Sequence, residues 1–173
     1  MCPQALDGAD ERAGQSAPAE PTDEQVSIQV DEIFAVDVDA ADLARAALMA
    51  LQSVGQPGSE VTVVITGDAE VQALNRQFRG VDAPTDVLSF PAQESTAGFV
   101  SAPEVSNYLG DVVIALPFTL RQAGEVRHSL AEELRLLVVH GVLHLAGYDH
   151  AEPDEEAAMW ARQDAILASL QQA

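Results

Sequence analysis

Residues 129–150 read SLAEELRLLVVHGVLHLAGYDH, and this stretch says more about fold and function than any other part of the chain. Ser129 predicts the start of a long helix, because serine is a preferred N-cap residue and two glutamates follow in the first turn. Four apolar residues then recur at helical spacing: Leu130, Leu134, Leu137 and Val138. Gly147 predicts the end of this helix, since glycine readily adopts the left-handed conformation that terminates helices.

The predicted helix carries two histidines, and a third follows its end. His140 and His144 stand four residues apart, so they project from one helical face about one turn apart. A turn at Gly147 allows the chain to bring His150 to the same point. Three neutral imidazoles that converge on a divalent ion leave one tetrahedral position open, which is how catalytic zinc is usually held. The sequence therefore predicts one zinc ion per chain, bound by His140, His144 and His150.

Other roles for these histidines remain open at this point. A lone histidine on an apolar helix face is more often a core or surface residue, but three of the four histidines lie within residues 140–150, which favours metal binding. A structural zinc normally has four protein ligands, often thiolates, and the single cysteine is the distant Cys2, so Asp149 or Asp154 would have to complete the shell. Asp149 is otherwise expected to orient a ligating imidazole or to stabilise a turn.

Gly141 bears on the type of enzyme that this motif can form. The common zinc-hydrolase motif places a glutamate directly after the first histidine, where it acts as general base for the metal-bound water. Glycine occupies that position here, so a metallopeptidase is disfavoured, although the spacing of the three histidines is similar to the metzincin arrangement.

The composition favours one domain without a membrane segment. At 173 residues the chain is long enough for one core, and 47% of its residues are apolar. No apolar run approaches the roughly 20 residues of a membrane span, and the amino terminus lacks the pattern of a signal peptide. A single cysteine excludes an internal disulfide framework and is consistent with the cytoplasm.

The charge balance is strongly acidic. The net charge is −20, from 28 acidic residues against 8 bases, all of them arginine. A field of this sign repels polyanions at long range, so charge alone argues against nucleic-acid binding. Any surface that binds an anion must therefore be local.

Periodicity predicts an α+β fold, a single domain with one sheet of about four strands and about five helices packed on it. The composition of residues 1–24 predicts a disordered acidic leader. Residues 25–173 are predicted to form the folded domain, with a flexible loop at residues 92–107. The predicted strands are 26–30, 61–66, 86–90 and 111–115, and the predicted helices are 40–53, 68–78, 117–122, the helix after Ser129, and 153–170. Asp68 is predicted as an N-cap, and the predicted buried residues include Val71, Leu74, Phe78, Met159, Trp160 and Ile166.

Three blocks of the chain resemble the YbeY family, bacterial zinc-dependent endoribonucleases that act in ribosomal RNA maturation. The blocks are LNRQFRGVDAPTDVLSFP at 74–91, GDVVIA at 110–115 and HGVLHLAGYDH at 140–150. They lie within residues 26–170, which is nearly everything outside the leader. The acidic leader and the long 92–107 segment depart from the family pattern, and neither touches the three blocks.

The resemblance implies roles for further residues. Arg79 is implied to be catalytic, because its guanidinium can stabilise the charge that develops on a phosphodiester attacked by a zinc-activated water. A planar fork of donors also matches two phosphate oxygens at once. Thr85, Asp86 and Ser89 are implied to bind substrate, although each could equally serve a turn or a backbone contact.

The resemblance also implies partners. The expected substrate is single-stranded RNA, cleaved in 16S rRNA 3′-end processing and in ribosome quality control. The expected partners are the small ribosomal subunit and its assembly factors in the cytoplasm, with no DNA and no membrane. The alternative is a non-catalytic ribosome-assembly or RNA-binding factor in which a structural zinc stabilises the carboxyl-terminal half.

Overall fold

The computed structural model describes residues 25–92 and 107–172. The predicted leader at 1–24, and the predicted loop at 92–107 apart from its two end residues, lie outside this range. The strands are β1 (Val26–Val30), β2 (Glu60–Thr66), β3 (Val87–Pro91) and β4 (Tyr108–Ala115). The helices are α1 (Ala40–Ser53), α2 (Asp68–Arg79), α3 (Leu116–Val126), α4 (Leu130–Leu145) and α5 (Pro153–Gln172), with a short 3-10 turn at Glu32–Phe34.

The four strands form one mixed sheet in the order β1-β2-β4-β3. β1, β2 and β4 are parallel, and β3 pairs antiparallel with β4 at the edge. Alternate residues of β2 point to opposite faces, so Val61, Val63 and Ile65 pack under α1, α4 and α5, while Val64 faces α2 and α3. The predicted α+β fold, a single domain with a four-stranded sheet and five helices, is confirmed for the described residues.

Helix α4 begins as the sequence predicts. The Ser129 hydroxyl accepts a hydrogen bond from the Glu132 backbone N–H at 3.2 Å, and the Glu132 carboxylate accepts one from the Ser129 backbone N–H at 2.8 Å. This reciprocal capping box satisfies two backbone donors at the helix start. From there α4 crosses β3 and β4, which sets the position of its two histidines relative to the sheet.

Gly141 lets α4 approach the sheet closely. A Cβ atom on this residue would lie 2.5 Å and 2.9 Å from the two γ-carbons of Val112 in β4, and 3.3 Å from the Ser89 hydroxyl in β3. Val112 is fully buried and β-branched, so it has little freedom to move aside. The position that holds the general base in many zinc hydrolases is therefore closed here to any side chain.

Three predictions about individual residues are wrong. Phe78 is 60% exposed and Trp160 is 52% exposed, so neither belongs to the core. Phe78 lies in the last turn of α2, past the buried residues Val71 and Asn75. Its ring makes an edge-to-face contact with Phe90, with the ring centroids 5.2 Å apart. Asp68 is the first residue of α2 and not its N-cap, which is Gly67, and its carboxylate accepts hydrogen bonds from Phe118 and Arg121 of α3.

The other predicted core residues are buried or partly buried, and two elements are longer than predicted. Val71, Met159 and Ile166 are buried, and Leu74 is partly buried. β4 begins at Tyr108 and α3 continues to Val126. Across the described residues every helix is either too short or too polar to cross a membrane.

We expect Gly141→Ala to destabilise the protein. Overpacking a buried contact costs about 1–3 kcal/mol, which exceeds the gain of about 1 kcal/mol that alanine has over glycine inside a helix. Denaturant unfolding should therefore show a net loss of up to about 2 kcal/mol. Gly124→Ala, at an exposed position of α3, is the matched control, since a Cβ there meets nothing within 4 Å and stability should hold or rise. Equal effects of the two substitutions would contradict the steric explanation.

Candidate metal centre

The three histidines of the motif converge in the structure. His140 and His144 lie one turn apart on α4, with ring centroids 4.6 Å apart. The helix ends at Leu145, and Gly147, with φ of +90°, turns the chain back so that His150 returns to the same point. One ring nitrogen from each histidine lies within 4.8 Å of the others. The donor atoms thus form a compact triad, as the spacing predicts.

Hydrogen bonds fix the tautomers of the two helical histidines. The carbonyl of Tyr148 can only accept, so His144 donates to it from Nδ1 at 3.0 Å and keeps a lone pair on Nε2. His140 donates from Nδ1 to the side-chain oxygen of Gln163 at 3.1 Å, with the same result. Such acceptors orient metal-binding imidazoles and raise their basicity.

The remaining nitrogens suit a divalent cation. The Nε2 atoms of His140 and His144 lie 3.1 Å apart, and neither carries a proton that could join them. Two imidazole nitrogens bound tetrahedrally to zinc would be about 3.3 Å apart, given bonds of about 2.05 Å. The donor set therefore fits a metal ion, and the cluster is consistent with a metal site.

Burial favours the neutral form of the two helical histidines. Loss of solvation lowers the pKa of both His140 and His144 from the usual 6.5, and the neighbouring imidazoles lower it further. The hydrogen bond to Gln163 raises the pKa of His140, and the one to the Tyr148 carbonyl raises that of His144. The pKa of each histidine is nevertheless lowered overall. Metal binding requires the neutral imidazole, so the environment favours the form that binds.

The triad opens into a cavity of about 330 Å³ between α4, α5, the end of α2 and β3. The seven residues predicted as metal ligands, catalytic residue or substrate-binding residues all line this cavity: Arg79, Thr85, Asp86, Ser89, His140, His144 and His150. The structure thus brings together residues that lie up to 71 positions apart in the chain.

Arg79 differs from the arginines of this acidic chain that pair with aspartates. It is the last residue of α2, and Gly80 ends the helix with a positive φ of 71°. Three other arginines pair with aspartates, Arg45 and Arg135 with Asp42, and Arg121 with Asp68. Within the described residues Arg79 has no ion pair, so its exposed guanidinium is available to an anion in the cavity.

The predicted substrate-binding residues also have partners within the protein. One carboxylate oxygen of Asp86 accepts from the Val87 N–H at 2.8 Å and from the Thr85 hydroxyl at 3.0 Å. The Ser89 hydroxyl donates to the Gly141 carbonyl at 3.3 Å. Asp149 accepts from the backbone N–H of His150 at 2.7 Å, which is a turn role and one of the two alternatives that the sequence left open.

A second group of polar residues supports the cavity wall and was missed from sequence. Gln122 donates to Asp86 at 3.3 Å and to Glu133 at 3.0 Å, and Glu133 also accepts from His128 at 2.9 Å. Glu133 is only 3% exposed, although its place in the first turn of α4 suggested a dipole role alone. Its position seven residues before His140, on the same helical face, was the available signal.

Gln163 was also missed. It lies on the buried face of α5 among Met159, Ile166 and Leu170, where a polar residue interrupts an apolar stripe. That interruption is a recognisable signal for a buried hydrogen-bond partner, but the sequence does not say which residue the partner is.

Comparison with known proteins decides the family. A family model described as Endoribonuclease YbeY matches residues 22–171. The chain belongs to the YbeY family. The resemblance seen in three blocks is confirmed, and with it the prediction of an enzyme of the metal-dependent hydrolase class.

Individual relatives support the same family assignment. An endoribonuclease YbeY from Chloroflexus aggregans is 48% identical over 146 residues, covering 84% of this chain and 95% of the relative. One from Roseiflexus castenholzii is 48% identical over 147 residues, covering 84% of this chain and 92% of that protein. The solution structure of TM1509 from Thermotoga maritima superposes with a TM-score of 0.54 at 28% identity, covering 84% of this chain and 88% of that one.

We expect Gln163→Ala to weaken metal binding. Removing an acceptor that orients a metal-binding imidazole typically lowers metal affinity by about 10- to 100-fold. Titration against a competing chelator would measure this, with Gln163→Glu retaining an acceptor and most of the affinity. Gln172→Ala, exposed on the same helix, is the control and should bind as the wild type does. Unchanged affinity in Gln163→Ala would show that Gln163 does not orient His140.

Proposed function

We propose that this chain is a metal-dependent endoribonuclease that cuts single-stranded RNA. Membership of the YbeY family supports RNA as the substrate class. The observation that carries the proposal is the convergence of three imidazoles with Arg79 around one cavity. An ion-binding triad beside an unpaired guanidinium suits a phosphodiester better than a peptide bond, because it offers two sources of positive charge to phosphate oxygens.

We propose one zinc ion per chain, held by His140, His144 and His150. The lone pairs on Nε2 of His140 and His144, and the lowered pKa of both, support a borderline-soft divalent ion that prefers nitrogen ligands. When bound, zinc supplies Lewis acidity and lowers the pKa of water, which makes hydroxide available near pH 7.

The protein's own residues hold the substrate. Hydrolysis adds one water molecule across a phosphodiester, and negative charge grows on the non-bridging oxygens as the bond to the leaving oxygen breaks. Arg79 is proposed to stabilise that charge, since its guanidinium lines the cavity that the triad opens into. Thr85, Asp86 and Ser89, which line the same cavity, are proposed to position the RNA.

Gly141 makes peptide hydrolysis by a metallopeptidase mechanism less suitable. A metallopeptidase of the common kind uses a glutamate at this position, and the packing of α4 on Val112 leaves no room for it. Hydrolysis of a phosphodiester depends less on a general base from the protein. A bound metal would lower the pKa of the attacking water and stabilise the charge on the phosphate oxygens.

We propose that the reaction serves 16S rRNA 3′-end processing and ribosome quality control. The partners would be ribosomal RNA, the small ribosomal subunit and its assembly factors, and the compartment the cytoplasm. Residues 25–173 are proposed as the catalytic domain. With a net charge of −20, binding should depend on local contacts in the cavity more than on the overall field.

Metal content should depend on the triad. The wild type is expected to purify with about one zinc per chain, and His144→Ala should lose most of it, because two imidazoles alone make a poor zinc site. Elemental mass spectrometry measures this directly. His128→Ala is the control, because that histidine pairs with Glu133 and lies outside the triad. Full zinc content in His144→Ala would refute the assignment of ligands.

Arg79→Ala should lower the cleavage rate without changing the stability of the fold. Cleavage of single-stranded RNA is expected to fall by about 100-fold or more, the scale for loss of one preorganised charge-stabilising donor, with zinc content and melting temperature nearly unchanged. Arg79→Lys should restore only part of the rate, because an ammonium keeps the charge without the two-pronged geometry.

The matched control for this experiment is Arg76→Ala, an exposed arginine one turn earlier on α2 that does not line the cavity. It should cleave at the wild-type rate. If Arg79→Ala also cleaved at that rate with zinc bound, Arg79 would have no catalytic role. If chelation melted the domain and the wild type cleaved no RNA, a structural zinc in a non-catalytic factor would explain the site instead.

A further inference from the structure

Trp160 lies in an unusual position for the largest apolar side chain of the protein. It lines the same cavity as the triad and Arg79, yet 52% of its surface is exposed. Its neighbour Met159 points into the core, and Trp160, about 100° further round the helix, lies at the edge of the buried face of α5. Within the described residues its ring makes no aromatic or cation–π contact, and its indole N–H has no hydrogen-bond acceptor.

The position of Trp160 relative to the triad is set by α5. Gln163 is one turn further along the same helix, and the two side chains reach the same cavity. Because Gln163 accepts a hydrogen bond from His140, the helix turn that carries Trp160 is held against a residue of the triad. The ring is therefore placed beside the proposed reaction centre by a specific contact, and not on a remote surface.

We propose that Trp160 is a stacking platform for an unpaired RNA base next to the phosphate that is cleaved. This inference rests on the proposed function, and it names the feature that selects single strands. An exposed indole offers a flat face, and stacking of a base on an aromatic side chain is common in single-strand recognition because every base has a π-face. In a duplex both faces of a base are covered by its neighbours, so the platform has nothing to bind.

The charge of the protein strengthens the case for stacking. Arg79 is the one arginine that lines the described cavity, and the chain as a whole carries a net charge of −20. Proteins that bind nucleic acid through many cations gain affinity from the backbone phosphates, an option that this surface lacks. Stacking does not depend on charge, so it can supply affinity here without a basic groove.

Trp160 can be observed directly, because it is the only tryptophan in the chain. When the holoenzyme is mixed with a single-stranded hexaribonucleotide in a stopped-flow instrument, we expect quenching of its fluorescence before cleavage occurs. An abasic ribose–phosphate chain of the same length carries the same charge without bases, and it should cause little quenching. Equal quenching by the two ligands would overturn the stacking role.

Steady-state cleavage supplies the second readout. Trp160→Leu keeps an apolar side chain but removes the flat face, and it should raise KM by about 5- to 150-fold, the range for loss of one stacked base. The value of kcat should change little, because the ring does not contact the reacting atoms. Trp160→Phe should stay close to the wild type. Leu120→Ala, which is 56% exposed on α3 and outside the cavity, controls for loss of apolar surface.

The outcomes separate the two proposals. A wild-type KM in Trp160→Leu, with cleavage intact, would overturn the platform and leave the endoribonuclease proposal standing. A wild type that cleaves no RNA would end both. Because Trp160 is not part of the core, all variants should melt near the wild-type temperature. If Trp160→Leu is less stable, the quenching comparison between RNA and the abasic chain, made on the wild type, gives the independent answer.

Discussion

The close contact between α4 and the sheet at Gly141 is the constraint on which the rest of this structure depends. Without a side chain at this residue, the helix rests directly on Val112, and the Ser89 hydroxyl reaches the Gly141 carbonyl. That approach holds His140 and His144 near the β3 edge of the sheet, and Arg79 at the end of α2 lines the same cavity. Protein interiors are close-packed, so a shift of the helix by one methyl group would displace the whole triad relative to the opposite wall.

The electrostatics of the cavity follow from how charges are distributed elsewhere. Three arginines pair with aspartates, and burial lowers the pKa of the two helical imidazoles, which favours their uncharged form. Arg79 and a bound cation are then the natural sources of positive charge in the cavity. Charges in a partly buried site are screened less than charges on an open surface. A strongly acidic protein can in this way present a small region that attracts anions.

The sequence predicts the features that depend on local spacing. The cap at Ser129, the pairing of His140 with His144 and the return of His150 follow from helical geometry and a glycine turn, and the structure has all of them. The errors at Phe78 and Trp160 have one cause. Periodicity says which face of a helix is apolar but not where the neighbouring elements end, and these aromatic residues lie where the core gives way to solvent or to the cavity. The partners of Gln163 and Glu133 depend on contacts between elements, which spacing within one element does not encode.

The contact between Gln163 and His140 has a consequence for how the protein is made. Synthesis proceeds from the amino terminus, so α4 and its histidines exist before α5. Until α5 has been synthesised and has packed on α4, His140 lacks the Gln163 acceptor, and its ring is not held in the orientation seen here. A nascent chain that ends before α5 therefore contains every histidine of the triad without the finished site. The order of residues along the chain thus delays the completion of the centre until the fold around it is nearly complete.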